Sequence, residues 1–324
     1  MPIVQLRHVR KVYDTKVAVE DLSFSIEPGT MFGLLGPNGS GKTSSIRMMI
    51  GITVPDSGSV SLFDRPFSRG MLGRVGYLPE ERGLYKKMHV MDQLVFLGRL
   101  HGLSASEASK RAHAWCERLQ IAEAIPKKTE DLSKGMQQKI QFISTLLHDP
   151  DLIIMDEPFS GLDPVNAVLL MDTLVELRRQ GKAVLFSTHR MDQVEKLCDN
   201  IALIHRGHLV LSGSMRAIKS GYPRNRVLIN FEGDPDPSFL HHPSIEHLKR
   251  YNGHAEIKLR ASSTLADDAQ SLLAQAVAQA RIHRFEVMEP TLEEIFNEKV
   301  RETSPAKDGN AISREELAGV MADA

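Results

Sequence analysis

Gly36-Pro37-Asn38-Gly39-Ser40-Gly41-Lys42-Thr43 stands between an unbroken apolar run, Met31 to Leu35, and a segment of helical pattern, Lys42 to Met49. Five apolar residues without alternation read as a strand buried on both faces. A glycine-rich turn and a helix follow directly, so the unit is strand, loop, helix. The octet has the spacing GxxxxGK[ST], which cradles phosphate: glycines let the backbone N–H groups from Gly39 to Thr43 converge on oxygens, and the helix N-terminus adds positive potential. Lys42 is placed to reach the β- and γ-phosphates, and the Thr43 hydroxyl to ligate Mg²⁺.

Downstream, Leu152-Ile153-Ile154-Met155 reads as a second buried strand that delivers Asp156 and Glu157 at its carboxyl end, where ligands collect in an open α/β sheet. Adjacent strand residues point opposite ways, so these carboxylates are expected to take different jobs: Asp156 in the magnesium shell, Glu157 polarising an attacking water. Further parallel-strand signals lie in Ala183 to Phe186 and Ile201 to Ile204, with an amphipathic helix from Val165 to Arg179 between the strands ending at Met155 and Phe186. From Ile3 to Phe63 short alternating strands are expected. Met91 to Leu147 reads as a helical insertion with a capping box, Ser104 with Glu107.

Past Gly221 the texture changes. Strand-like Arg226 to Phe231 and Ala255 to Leu259, an alanine-rich helix from Ala266 to Ala280, a strand from Ile282 to Met288 and a helix capped by Thr291 with Glu294 predict a small second domain. The predicted divisions are 1–220 with a helical subdomain at about 80–150, 221–302, and a mobile polar tail over 303–324 with at most a short helix near Arg314.

The chain has 324 residues, 42% hydrophobic and 25% charged, enough to bury a core in about two domains. Forty basic against forty-one acidic side chains leave a net charge of −1, which supplies no electrostatic footprint for nucleic acid. Two distant cysteines, Cys116 and Cys198, support neither a disulfide framework nor a zinc site and fit a reducing compartment. No apolar stretch reaches the roughly 20 residues that cross a bilayer, and Met1 opens no signal peptide.

These motifs, in this order, resemble the ATP-binding subunit of an ABC transporter over about Ile3 to Gly213. Leu132-Ser133-Lys134-Gly135-Met136-Gln137-Gln138 resembles the ABC signature, Ser160-Gly161-Leu162-Asp163 the D-loop, and His189 the switch histidine; Tyr13 occupies the place of the aromatic that stacks on adenine. The resemblance implies a P-loop NTPase core of RecA-like parallel sheet, antiparallel β subdomain and helical subdomain, followed by a small α+β carboxyl-terminal domain. It implies ATP and Mg²⁺ as cofactors and a homodimer, or a heterodimer with another ABC ATPase, holding two ATP molecules. Glu157 is then the general base, His189 and Lys42 its catalytic companions, and Asp163 a link between the two sites. Gly36 to Thr43, Tyr13, Thr15, Ser133 and Gly135 bind nucleotide; Thr43, Asp156 and Glu80 face the metal. Tyr13 packed in the sheet and His189 satisfied by backbone are the plainer readings of those two residues.

Two departures stand out. Glu80, in Tyr77-Leu78-Pro79-Glu80, occupies a position where the family usually has Gln, and the signature has Lys134 and Met136 in place of the usual residues of LSGGQ. A carboxylate still ligates magnesium but alters the local field; as a plain loop acid Glu80 has no such role. Together with Glu81-Arg82-Gly83-Leu84-Tyr85 and Pro290-Thr291-Leu292-Glu293-Glu294-Ile295-Phe296, these features resemble ABC-2 exporters, including sodium-efflux (Nat-type) ATPases, that carry a small extra domain. The implied activity is ATP hydrolysis driving export through a separate integral-membrane permease, with the chain cytoplasmic and peripheral on the membrane's inner face. The permease is expected to meet the surface around Glu80 to Met88, with Leu84 and Tyr85 as anchors unless they pack internally. The competing class, a soluble ABC ATPase acting on a protein assembly or nucleic acid, lacks support in the single nucleotide-binding domain and the balanced charge. An ATP-binding protein without hydrolysis is opposed by the presence of Lys42, Asp156, Glu157 and His189. Substrate is left open between sodium, a lipid, a peptide and a drug, because the membrane subunit builds the pathway.

Overall fold

A computed structural model describes residues 1–81, 83–233, 236–251, 253–260 and 265–303. The first elements are an antiparallel pair, β1 (Val4–Tyr13) and β2 (Lys16–Ile26), then the buried strand β3 (Met31–Leu35) and helix α1 (Lys42–Met49). β4 (Ser57–Leu62) and β5 (Arg65–Pro66) join the opening pair in a four-stranded sheet of order β2-β1-β4-β5. The short β6 (Val75–Leu78) precedes three helices, α2 (Val90–Leu100), α3 (Ala105–Arg118) and α4 (Lys134–Leu146). Ser104 caps α3 by accepting the Glu107 N–H, and Ala108, Ala112 and Cys116 form its buried stripe, with Trp115 at the edge.

The chain returns to the sheet with β7 (Leu152–Asp156), α5 (Pro164–Arg179), β8 (Ala183–Thr188), α6 (Met191–Leu197), β9 (Asn200–His205) and β10 (His208–Ser214). The six-stranded sheet has the order β10-β9-β3-β8-β7-β6, parallel except for the antiparallel edge strand β10. Every residue of β3, β7 and β8 is buried, which explains their continuous apolar sequences: both faces are covered. Register aligns the functional ends. Leu35, the last residue before the glycine loop, pairs with Thr188, and Asp156 pairs with Ser187. The three strand ends therefore open at one level.

Leu185 is fully buried at the centre of this sheet, within the same core cluster as Leu34 and Ile154. Leu185→Ala is expected to lower the unfolding free energy by about 3 kcal/mol, read from denaturant unfolding. A loss below about 1 kcal/mol would mean the site collapses around the cavity.

Two compact units divide after Met215, the first residue of α7 (Met215–Ser220), where the sequence pattern places the division at residue 220. The second unit holds β11 (Arg226–Glu232), β12 (Ile245–Tyr251), β13 (His254–Leu259), α8 (Leu265–Gln279), β14 (Arg281–Met288) and α9 (Leu292–Thr303). Its antiparallel sheet runs β12-β13-β11-β14, with Val227, Ile229, Ala255, Ile257 and Leu272 in its own core. The Thr291–Glu294 box closes in both directions: Glu294 N–H donates to Thr291 Oγ1 at 3.3 Å, and Thr291 N–H to the Glu294 carboxylate at 3.0 Å. β12 escapes the sequence pattern because its residues are exposed or half-buried and largely charged. The expected mobile tail, with its short helix near Arg314, lies outside the described residues.

Candidate functional site

A cleft of about 350 Å³ opens at the carboxyl ends of the parallel strands, lined among others by Tyr13, Lys42, Thr43, Glu80, Asp156 and Glu157. Asn38, Gly39 and Gly41 of the glycine loop also border it. The loop's shape requires its glycines. A Cβ on Gly36 (φ +151°) would sit 2.1 Å from the Ile204 carbonyl oxygen, and one on Gly41 (φ +114°) 2.5 Å from that of Ala18. Gly39 (φ +74°) instead faces open space. Pro37 and Ser40 complete the turn, the Ser40 N–H donating to the Pro37 carbonyl at 3.2 Å. Ser40 Oγ is buried without a hydrogen-bond partner, packed against Gly36, where an added Cβ would come within 2.6 Å of it.

Lys42 is 6% exposed and donates from Nζ to the carbonyls of Gly36 (2.7 Å) and Pro37 (3.2 Å), so its ammonium is held over the loop. Burial lowers its pKa, against the opposing pull of Glu157, Asp156 and Glu80. Thr43 Oγ1 donates to Asp156 Oδ2 at 2.8 Å, and Ser187 Oγ donates to the other oxygen, Oδ1. The hydroxyl and the carboxylate are thus adjacent hard oxygen donors of the kind Mg²⁺ takes, with room left for phosphate and water oxygens.

Strand alternation does not separate the two acids. β7 stops at Asp156, and Glu157 turns into the left-handed region (φ +48°), its N–H donating to Ser187 O at 3.1 Å. A non-glycine residue in that region carries strain, which the surrounding bonds hold in place. That turn sends the Glu157 side chain towards the end of β8. Its Oε1 accepts from His189 N–H (3.1 Å) and from His189 Nδ1 (2.9 Å), and its Oε2 from Thr188 Oγ1 (3.2 Å). A carboxylate only accepts, so Nδ1 carries the hydrogen and Nε2 faces away from the pair. Glu80 also lines the cleft; desolvation first, then the charges of Asp156 and Glu157, raise its pKa.

Of the remaining expected residues, Tyr13 borders the cleft and Thr15, Ser133, Gly135 and Asp163 do not. Tyr13 is 40% exposed and lines the cleft, not the core, so sheet packing does not account for it. Thr15 sits in the exposed β1–β2 turn and does not line the cleft. Ser133 and Gly135 belong to the start of α4: Ser133 caps the helix by accepting the Met136 N–H, and a Cβ on Gly135 would meet only Leu162 Cδ2, at 3.7 Å. Asp163 caps α5 by accepting the Asn166 N–H, a bond that lowers its pKa. Sequence reading missed Ser187, which orients both acids, and Lys16, which lines the cleft. Ser187 hides at the end of an apolar run, where a lone hydroxyl carries no pattern.

Residues 19–160 match the ABC transporter family, and residues 213–300 match the C-terminal domain of ATP-binding protein DrrA1-3-like proteins. The chain is 44% identical to the uncharacterized ABC transporter ATP-binding protein YhaQ of Bacillus subtilis, over 92% of this chain and 98% of that one. It is 32% identical to the linearmycin resistance ATP-binding protein LnrL of Bacillus subtilis (91% and 97% covered) and 32% identical to the Nod factor export ATP-binding protein I of Burkholderia thailandensis (90% and 95%). Among solved structures, an ATP binding subunit of an ABC transporter superposes with a TM-score of 0.63 at 28% identity, covering 68% of this chain and 92% of that one.

Proposed function

Because this chain belongs to the family of ABC transporter ATP-binding proteins, we propose that it hydrolyses ATP with Mg²⁺ to drive export through a separate integral-membrane permease. The observation that carries this reading is the convergence on one cleft of Lys42, the Thr43–Asp156 pair and Glu157, with His189, which does not itself line the cleft, hydrogen-bonded to Glu157. The export direction is supported by the names of the linearmycin resistance and Nod factor export relatives.

In this reading the glycine loop and Lys42 grip the phosphates, Tyr13 stacks on the base, and Thr43, Asp156 and Glu80 hold the metal. Bound Mg²⁺ supplies charge neutralisation at the β- and γ-phosphates. Glu157 takes the proton of an attacking water, held in place by Thr188 and His189. His189 Nε2, on the ring edge away from Glu157, is the group left to face the γ-phosphate. Ser133 and Gly135 offer the α4 N-terminus to the nucleotide of a partner ATPase, alike or different, and Asp163 links the two sites across that dimer. Nucleotide binding closes the dimer and hydrolysis opens it.

The permease contact falls on the surface from Glu80 to Met88 and on α2. Tyr85 is 53% exposed, Leu100 on α2 is 67% exposed, and Tyr85 meets Phe96 edge-on at 6.0 Å, an apolar patch on an otherwise charged surface. Leu84, the other candidate anchor, is half-buried. Among the described residues no helix is long and apolar enough to cross a membrane, which leaves the spanning pathway to a partner. Tyr85→Asp with Leu100→Asp is expected to cut recovery of a multispanning polypeptide, co-purified from detergent-solubilised membranes, to below about a tenth of wild type. Undiminished recovery, or recovery of ribosomes or DNA alone, overturns the reading.

A further inference from the structure

The described residues 79–81 and 83–85 lie between the carboxyl end of β6 and α2, and Glu80 among them lines the cleft. Two buried glutamines hold them. Gln141, on α4, donates from Nε2 to the carbonyls of Pro79 (3.0 Å) and Glu81 (3.3 Å), the residues on either side of Glu80. Gln93, on α2, accepts the Tyr85 N–H on Oε1 at 2.6 Å. Both side chains are at least nine-tenths buried, and each keeps one amide atom without a hydrogen-bond partner, Gln141 Oε1 and Gln93 Nε2.

A buried amide with one end unsatisfied is unfavourable relative to an apolar group of the same shape. The unsatisfied Oε1 offsets part of what the two donated bonds contribute to stability, so what Gln141 chiefly supplies is the placement of its donor. Its neighbour on the same helical face, Gln138, donates to the carbonyl of Pro158 at 3.0 Å, immediately after Glu157. One helix thus grips the backbone beside two of the cleft's carboxylates, about 8 Å (Gln138) and about 12 Å (Gln141) along its axis from its Ser133 cap.

We propose that Gln141 is a positioning residue for Mg²⁺ binding: by holding the carbonyls on both sides of Glu80 it fixes that carboxylate on the metal side of the cleft and ties it to the helix that begins at Ser133. This rests on the reading of Glu80 as a metal-facing group. Displacement of α4 then moves Glu80 with it, so the signature end of the helix and the metal shell share one rigid connection.

The test is a double-mutant cycle on the full chain, with calorimetric binding of a non-hydrolysable ATP analogue followed across a Mg²⁺ series and in EDTA. Gln141→Met keeps length and volume and removes the donor. It is expected to raise the Mg²⁺ concentration for half-maximal binding about fivefold, with binding in EDTA and the thermal unfolding midpoint close to wild type. Glu80→Ala is expected to shift the same midpoint, and adding Gln141→Met to it to shift it no further. If Gln141→Met fails to fold, Gln141→Leu, which also removes the donor without burying a charge, carries the same expectation. An unmoved midpoint in the Gln141 variant beside a shifted one in Glu80→Ala, or additive shifts in the double variant, overturns the positioning role alone. An unmoved midpoint in Glu80→Ala removes Glu80 from the metal shell, and the proposal with it.

Discussion

Glu157→Gln is expected to bind ATP at least as tightly as wild type and to release phosphate more than about a hundredfold more slowly, the range lost with a general base. The expectation follows from the bonds around the carboxylate. Oε1 accepts from the His189 backbone N–H and Oε2 faces the Thr188 hydroxyl. A glutamine can keep its carbonyl oxygen at the first position and present its NH₂ to the Thr188 oxygen at the second, so the left-handed turn at Glu157 and the loop around it survive. What disappears is the basic lone pair and one negative charge beside the phosphates. The loss of charge favours the nucleotide; the loss of the base stops the water. Isothermal calorimetry for binding, phosphate release for turnover and light scattering for an ATP-trapped dimer read the three consequences separately. Wild-type turnover would remove Glu157 from the base role and leave His189, hydrogen-bonded to it at 2.9 Å, as the next candidate.

The parts of this arrangement that sequence discloses are those with a period or a composition of their own. Met31–Leu35 and Lys42–Met49 are found at their predicted boundaries because an unbroken apolar run, a glycine turn and a helix follow each other without overlap. The second unit's β11, β13 and β14 are legible from their β-branched and aromatic residues, whereas β12, with His247, Lys249 and Arg250, reads as loop because little of it is buried. At the site, sequence names Asp156 and Glu157 but gives the wrong reason for their separation: a left-handed residue at a strand end has no signature when the residue is glutamate. Ser187 and Gln141 were invisible for a related reason. Each is one polar residue in a buried element, and its role lies in backbone carbonyls and carboxylates brought from distant parts of the chain. Ser133 and Asp163 show the converse. Their positions match the motifs, yet in the single chain their side chains serve as helix caps, and the nucleotide role proposed for them rests on the proposed dimer.

Lys42→Ala is expected to weaken ATP binding about a hundredfold, the equivalent of about 3 kcal/mol for a charge-assisted contact to phosphate. Two effects of the same sign combine. Lys42 is the buried cation in a cleft that also holds the exposed Lys16 and the acids Asp156, Glu157 and Glu80, and each of the three acids raises Lys42's proton affinity while burial lowers it more. Removing the ammonium withdraws a phosphate donor and leaves three carboxylates facing an incoming polyanion without it. The carbonyls of Gly36 and Pro37 lose their bonds to the ammonium, but the loop's positive-φ glycines and the Ser40–Pro37 turn are backbone features, so the variant should stay folded. The lowered lysine pKa also fixes a sign for pH: unliganded Lys42 gives up its proton before a solvated lysine does, so wild-type affinity should fall on the alkaline side while the alanine variant stays flat there. Calorimetry from neutral to alkaline pH checks both. Equal affinity in the two proteins would mean that the phosphates lie elsewhere than over this loop.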